Sequence, residues 1–216
     1  MQMYGFWRSA AAFRVRMALN LKGIAVEETM INLDTGEQHD PAYTKLNPGA
    51  SLPSLFDGDG PPLYQSIAIL EYLEEKYPSP PLLPADLRAR ARVRALALIW
   101  AADHHPLIVP RVRAYLVKTL HADKDQETAW IQHWFREGLT IGESRLAGDP
   151  ATGAFCHGDT PTIADLCLMS QAVGAKVFGV DTAPFPTINR IVANCMAKDE
   201  IARAHPLRQP GAPAAH

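Results

Sequence analysis

Ser9 stands between Trp7-Arg8 and Ala10-Ala11-Ala12, where a strand would give way to a helix. Met1 to Phe6 alternates weakly and carries aromatics, and serine is a preferred helix cap. Ala11, Val15, Ala18 and Leu19 then recur at i, i+4, i+7 and i+8. A strand, a short turn and an amphipathic helix are predicted. Unpaired backbone N–H groups and the positive dipole end gather at such a helix start, so an anion near Ser9 is stabilised. A hydroxyl there could serve a thiolate, or could simply cap the helix. Gln65-Ser66 opens a second predicted helix, Ile67 to Tyr77, with Ile67, Leu70 and Leu73 facing inward and Pro78 stopping it. Both starts suit negatively charged groups.

Further elements must position these residues. Lys22-Gly23 ends the first helix with a C-terminal cation and a residue tolerant of left-handed geometry, and Val26 to Leu33 reads as a second strand. Asp34 to Asn47 reads as a loop with at most a short helix after Asp40-Pro41. Asn47-Pro48-Gly49-Ala50-Ser51-Leu52-Pro53 is a turn feeding the apolar run Ser54-Leu55-Phe56, and proline there belongs at a strand start. A cis Leu52-Pro53 bond would turn the Leu52 amide and carbonyl toward a ligand. Cis forms are only about 5–6% of such bonds, so trans is the expectation. Asp57-Gly58-Asp59-Gly60 signals a hairpin, with Pro62-Leu63-Tyr64 as its second strand. The order β-α-β-α-β-β-α is that of a thioredoxin-like domain with a four-stranded mixed sheet.

Pro78-Ser79-Pro80-Pro81-Leu82-Leu83-Pro84 breaks the composition as a semi-rigid linker. Domains are expected at 1–79 and 85–216, the second all-helical. Asp86 to about Lys118 reads as one long helix or two in series, and Arg88, Arg90, Arg92 and Arg94 on its opposing faces read as solvated surface. Gln126 to Leu146 follows. Thr162-Ile163-Ala164-Asp165 is a capping-box pattern opening a helix to about Phe178, and a last helix lies near Thr187 to Met196. Trp100, Trp130 and Trp134 are assigned to the core.

A chain of 216 residues with net charge −2 and 47% apolar content carries no basic excess for nucleic acid. Cys156, Cys167 and Cys195 are odd in number and lack metal-ligand spacing, which suits free thiols in a reducing cytoplasm. No stretch approaches a membrane span. Neighbouring His104 and His105 point about 100° apart on a helix, so no metal site is expected from them.

Several stretches resemble the zeta class of glutathione transferases, the maleylacetoacetate and maleylpyruvate isomerases. They are Arg8-Ser9 with Arg14-Val15-Arg16-Met17-Ala18-Leu19, Asn47-Pro48 with Leu52-Pro53, and Gln65-Ser66 with Glu71-Tyr72-Leu73-Glu74-Glu75. Gly158 to Leu168 and Ala204-His205-Pro206 with Arg208-Gln209-Pro210 complete the set. The likeness spans nearly the whole chain. It implies a glutathione transferase fold, an α/β thioredoxin-like N-terminal domain plus an all-α C-terminal domain, in a homodimer with glutathione as cofactor. It also implies addition of the glutathione thiolate to a cis double bond, rotation, and elimination to the trans isomer of a dicarboxylic keto acid.

The family's Ser-Ser-Cys-Ser pattern reads Ser9-Ala10-Ala11-Ala12 here. The candidate catalytic set is therefore the Ser9 hydroxyl, the backbone N–H groups of Ala10 and Ala11, and Arg8 beside them. Ser51, Leu52, Pro53, Gln65 and Ser66 are expected to contact glutathione, Ser51 standing where a glutamine is common, and His104 is expected to reach it. Arg8, Arg111 and Lys176 are expected to hold the substrate carboxylates, arginine through paired donors and Lys176 as a point charge replacing an arginine. Ile108 and Val109, in place of two asparagines, give a more apolar wall. Conjugation or peroxide reduction by the same thiolate, and a silent binding protein of the same fold, are the competing readings.

Overall fold

The computed structural model describes residues 1–213. They form two units, Met1–Leu82 joined by the segment from Lys198 onward, and Leu83–Ala197. The first unit begins with strand β1 (Gln2–Gly5), helix α1 (Ala10–Leu21) and strand β2 (Glu27–Met30). A short helical turn at Glu37–His39 and helix α2 (Pro41–Thr44) fill the predicted loop. Strands β3 (Ser54–Phe56) and β4 (Leu63–Tyr64) and helix α3 (Ser66–Lys76) complete the thioredoxin-like pattern.

The sheet runs β2-β1-β3-β4. β1 pairs parallel with β2 and antiparallel with β3, and β3 pairs antiparallel with β4. Two reversals make β1 and β4 point the same way. The register Tyr4↔Ser54↔Tyr64 sets the C-terminal ends of β1 and β4 beside the N-terminal end of β3. The chain therefore leaves toward Ser9, enters from Leu52-Pro53 and leaves toward Gln65-Ser66 at one end of the sheet.

α1 was expected to be amphipathic, yet every residue from Ala11 to Leu19 is buried, Arg14 and Arg16 among them. The cause lies at the other end of the chain. α1 packs against α3 and also against helix α10 (Asp199–Ala202), in a segment that the sequence reading had carried in the helical domain. Asn20 donates to the Glu200 carbonyl (2.9 Å), and His205 sets its ring edge-on to Phe13, with centroids 6.1 Å apart. The last three residues of the expected 85–216 domain lie outside the described residues.

Lys22 at the end of α1 does more than meet the helix dipole. Its buried ammonium donates to the Glu74 carboxylate (2.8 Å) and to the carbonyls of Tyr77 (2.6 Å) and Pro80 (2.9 Å), tying α1 to the end of α3. Glu74 also accepts the Leu82 N–H (2.9 Å).

In the second unit, helix α4 (Leu87–Leu98) is capped by Asp86, whose carboxylate accepts the Ala89 N–H. It continues into a π-helical stretch at Ile99–His104, helix α5 (His105–Ile108) and helix α6 (Pro110–Lys118). The expected run of one helix or two in series is divided into these pieces, because Pro106 and Pro110 carry no N–H for the helical ladder and crowd the preceding turn. Helix α7 (Lys124–Leu146) starts at an Asp123–Gln126 capping box, and α8 (Ile163–Val177) at the predicted Thr162–Asp165 box. Helix α9 (Pro186–Met196) follows. Gly142 lets α7 approach Trp100 closely, for a Cβ there would lie 2.6 Å from the indole. Trp100 is fully buried, with its Nε1 donating to the Gly138 carbonyl, whereas Trp130 and Trp134 are half-buried.

Asp165 is fully buried, and one carboxylate oxygen accepts the N–H and hydroxyl of Thr162, both at 2.8 Å. The other accepts the Cys156 N–H (2.7 Å). Burial pushes its carboxyl above the usual range, against these donors, which lower it. Arg92 is not the solvated surface charge expected. It donates to Asp149 (3.0 Å), Thr152 (2.9 Å) and the Cys156 carbonyl (2.8 Å), clasping the connector ahead of α8 onto α4. No helix among the described residues is long and apolar enough to cross a membrane.

Candidate active site

Ser9 caps α1 in an extended conformation, and its Oγ accepts the Ala12 N–H (3.2 Å). The Phe13 N–H bonds the Ser9 carbonyl (2.9 Å), so regular helical bonding begins there. The N–H groups of Ala10 and Ala11 have no hydrogen-bond partner among the described residues. A half-buried hydroxyl that still has its own proton to give thus sits beside two unspent backbone donors. Together they can hold an anion.

The turn before Ser9 is tied from inside α1. Arg16 grips Glu28 of β2 through two donors, Nε to Oε2 (2.8 Å) and Nη2 to Oε1 (2.6 Å). It also donates to the carbonyls of Phe6 (2.8 Å) and Trp7 (3.4 Å). Gly5 leaves room at this crossing, because a Cβ there would push the Glu28 carboxylate out of its place against Arg16.

At the entry to β3 the Leu52-Pro53 bond is cis, overturning the trans expectation. Beneath it, the buried Tyr43 hydroxyl donates to the Ser51 carbonyl (2.6 Å) and meets the Ser54 hydroxyl (2.9 Å). Asn47 Nδ2 reaches the same two atoms at 2.9 and 3.1 Å. Burial raises the Tyr43 pKa above the ordinary phenol value, keeping its hydroxyl a donor. The Ser51 carbonyl is consumed in this knot. The Leu52 N–H and carbonyl carry no bond among the described residues, which leaves one donor and one acceptor for an extended peptide.

α3 starts differently from the expected serine cap. Gln65 occupies the cap position at φ 68° with no capping side-chain bond, a left-handed conformation that costs a non-glycine residue about 1–3 kcal/mol. The N–H groups of Ser66, Ile67 and Ala68 have no partner among the described residues. The buried Ser66 hydroxyl accepts a bond from Arg14 Nη1 (3.3 Å). Gln65 is exposed, and this helix start, on the same end of the sheet, can likewise accept an anion.

Arg8 pairs with Asp34 and lies over the rings of Phe6 and Trp7, 5.7 and 5.9 Å from their centroids. It remains about half exposed. Within the second unit, Arg111 is exposed in the first turn of α6, without hydrogen bond or ion pair among the described residues, and Lys176 is exposed in the last turn of α8. His104 is buried. Its Nδ1 lies 2.6 Å from the Ile99 carbonyl and its ring packs near Trp134, which gives it a packing role that adjacency in sequence does not reveal. Ile108 is also buried, so of the expected apolar wall only Val109 is part-exposed. Tyr43, Asn47, Arg16 and Glu28, which tie down the Leu52 and Ser9 segments, are not singled out as site residues by the sequence. Asn47 and Arg16 were noticed only as parts of motifs.

A thioredoxin-like sheet whose one end gathers two open helix starts and an unpaired backbone segment is the arrangement expected of a glutathione transferase. Residues 8–76 match the family model for the glutathione S-transferase N-terminal domain. The chain is 44% identical to a maleylpyruvate isomerase of Ralstonia, covering 97% of this chain and 99% of that one. A maleylacetoacetate isomerase structure from Methylobacterium extorquens AM1, with bound malonate and glutathione, superposes with a TM-score of 0.98 at 55% identity, covering 99% and 100% of the two chains. The holo structure of a bacterial maleylpyruvate isomerase of the zeta class gives 0.95 at 44% identity, again covering 99% and 100%. The chain belongs to the zeta-class glutathione transferases, the family of maleylacetoacetate and maleylpyruvate isomerases.

Proposed function

We propose that the protein is a glutathione-dependent cis-trans isomerase that converts a maleyl-keto diacid, maleylpyruvate or maleylacetoacetate, to its fumaryl isomer in the breakdown of aromatic compounds. One observation carries this reading. Two helix starts with unspent N–H groups and the free Leu52 backbone pair share one sheet end, in a chain so similar to these isomerases.

These groups fit glutathione, a tripeptide with anionic ends and one thiol. When bound, it supplies a sulfur nucleophile that adds to the cis double bond, permits rotation about the resulting single bond and departs unchanged. The chain's own part is to hold that sulfur ionised. An ordinary thiol has a pKa of about 8.5 and is mostly protonated at neutral pH, and each unit of lowering requires about 1.4 kcal/mol of preferential stabilisation. The Ser9 hydroxyl donates a hydrogen bond to the ionised sulfur while its oxygen goes on accepting from the Ala12 N–H. The Ala10 and Ala11 N–H groups add the helix-end field. Leu52 pairs with the tripeptide backbone, with Ser51, Pro53 and Gln65 flanking it, and the Ser66 helix start takes a terminal carboxylate. His104, which the sequence reading assigned to glutathione, is left out of this set because it is buried and bonded within its own unit.

Arg8 holds a substrate carboxylate in exchange for Asp34, and Arg111 and Lys176 are the further cations assigned to the diacid. The buried free thiols suit a reducing cytoplasm. A homodimer belongs to the same reading and is carried over from the family resemblance.

Assaying both maleyl-keto acids with and without glutathione tests the proposal. Isomerisation only with glutathione is expected, and Arg111→Ala should lose it while still conjugating glutathione to an uncharged electrophile. Turnover without glutathione, or none with it, contradicts the assignment.

A further inference from the structure

The Arg16–Glu28 pair lies behind the Ser9 turn and touches none of the groups assigned to glutathione. Arg16 is only 4% exposed, and a guanidinium in such a place needs its donors satisfied. Its in-plane fork meets both Glu28 oxygens, so the two charges cancel locally and the contribution to the site is geometric. Two further donors go to backbone. Arg16 Nη2 shares the Phe6 carbonyl with the Ser9 N–H, which closes the turn at 3.0 Å, and Nη1 takes the Trp7 carbonyl. These two carbonyls immediately precede the helix start. Their negative ends point to Arg16 and not toward the place where an anion would sit, while the N–H groups that follow stay open.

We propose that Arg16, held in plane by Glu28, is a positioning residue for thiol ionisation: it fixes the Phe6–Ser9 turn so that the Ser9 hydroxyl and the Ala10 and Ala11 N–H groups converge on one sulfur. This rests on the glutathione reading above. It adds a specific division of labour, because Leu52 and the α3 start hold the tripeptide independently of the turn. Loosening the turn should therefore affect sulfur ionisation and kcat, with glutathione affinity and KM little changed.

Arg16→Lys retains the charge and loses the fork. Glu28→Gln retains shape and removes one acceptor, providing a milder variant should the lysine variant fold poorly. Each would be titrated with bound glutathione by the ultraviolet thiolate band, alongside calorimetric affinity for S-methylglutathione, which has no ionisable thiol. The expected result is a thiol midpoint raised by about half to one unit, thiolate content falling severalfold below the midpoint, and S-methylglutathione affinity within about twofold of the parent. A purely structural pair would lower the melting temperature and leave the midpoint where it was. An unshifted midpoint in both variants overturns the proposal, as does a loss of S-methylglutathione affinity matching the loss of thiolate. If the parent protein bound no glutathione, the underlying reading would fail as well, and the two failures are told apart by that first titration.

Discussion

Arg14, five residues past the Ser9 cap on α1, donates a hydrogen bond to the hydroxyl of Ser66 at the start of α3. One helix thus offers its own N-terminus to an anion and steadies the hydroxyl at another's. Because the Ser66 oxygen accepts from a guanidinium, its proton is left to donate to a carboxylate.

Ser66→Ala removes that donor and the Arg14–Ser66 bond, while the backbone N–H groups of the helix start remain. Glutathione affinity should fall by about 1–2 kcal/mol, or roughly five- to thirtyfold in Kd. Calorimetry measures it directly, and kcat at saturating glutathione should change far less.

Tyr43→Phe deletes the hydroxyl that holds the Ser51 carbonyl and meets Ser54, leaving Asn47 as the remaining tie. The loss should cost about 1–2 kcal/mol of stability and raise the KM for glutathione, because the Leu52 backbone is then less fixed. Asn47→Ala should act in the same direction, and the double variant should lose more than the two singles summed. Thermal melts and steady-state kinetics check both.

Much of this site was legible in the sequence because its signals are local. A serine before an alanine run, a proline opening a strand and a Gln-Ser before an apolar stripe each announce a backbone geometry within a few residues. What escaped depends on distant partners. Arg16 stands in the sequence only as part of a motif, because its partner Glu28 lies on β2 and the segment that covers α1 lies at the other end of the chain. Arg92 looked solvated because Asp149 and Cys156 are about sixty residues away. Lys22 read as a helix-end cation, although its ammonium is buried against Glu74. The cis form of Leu52-Pro53 went against frequency, and a second helix in series after α4 was allowed for without its start being placed.

Glu127 joins α6 to α7 by accepting from Arg113 Nε (2.7 Å) and Lys124 Nζ (2.9 Å). The bond from Lys124, with that from Arg113, holds its carboxyl below the usual glutamate range. A depressed folded-state pKa means that the stabilisation is present above the unfolded value, about 4.3, and is lost as the pH falls through the folded one. Glu127→Gln should therefore be destabilised by about 1–2 kcal/mol at neutral pH, and the gap to the parent should close in acid. Denaturant melts at several pH values follow that convergence.

The most direct test is the ionisation of glutathione bound to the parent protein and to Ser9→Ala, followed by the thiolate ultraviolet band against pH. The parent should titrate clearly below the ordinary thiol value of about 8.5, and the alanine variant about one to two units higher than the parent with glutathione still bound. A parent midpoint equal to that of free glutathione, or one that Ser9→Ala leaves unmoved, would contradict a sulfur held as an anion at this helix start.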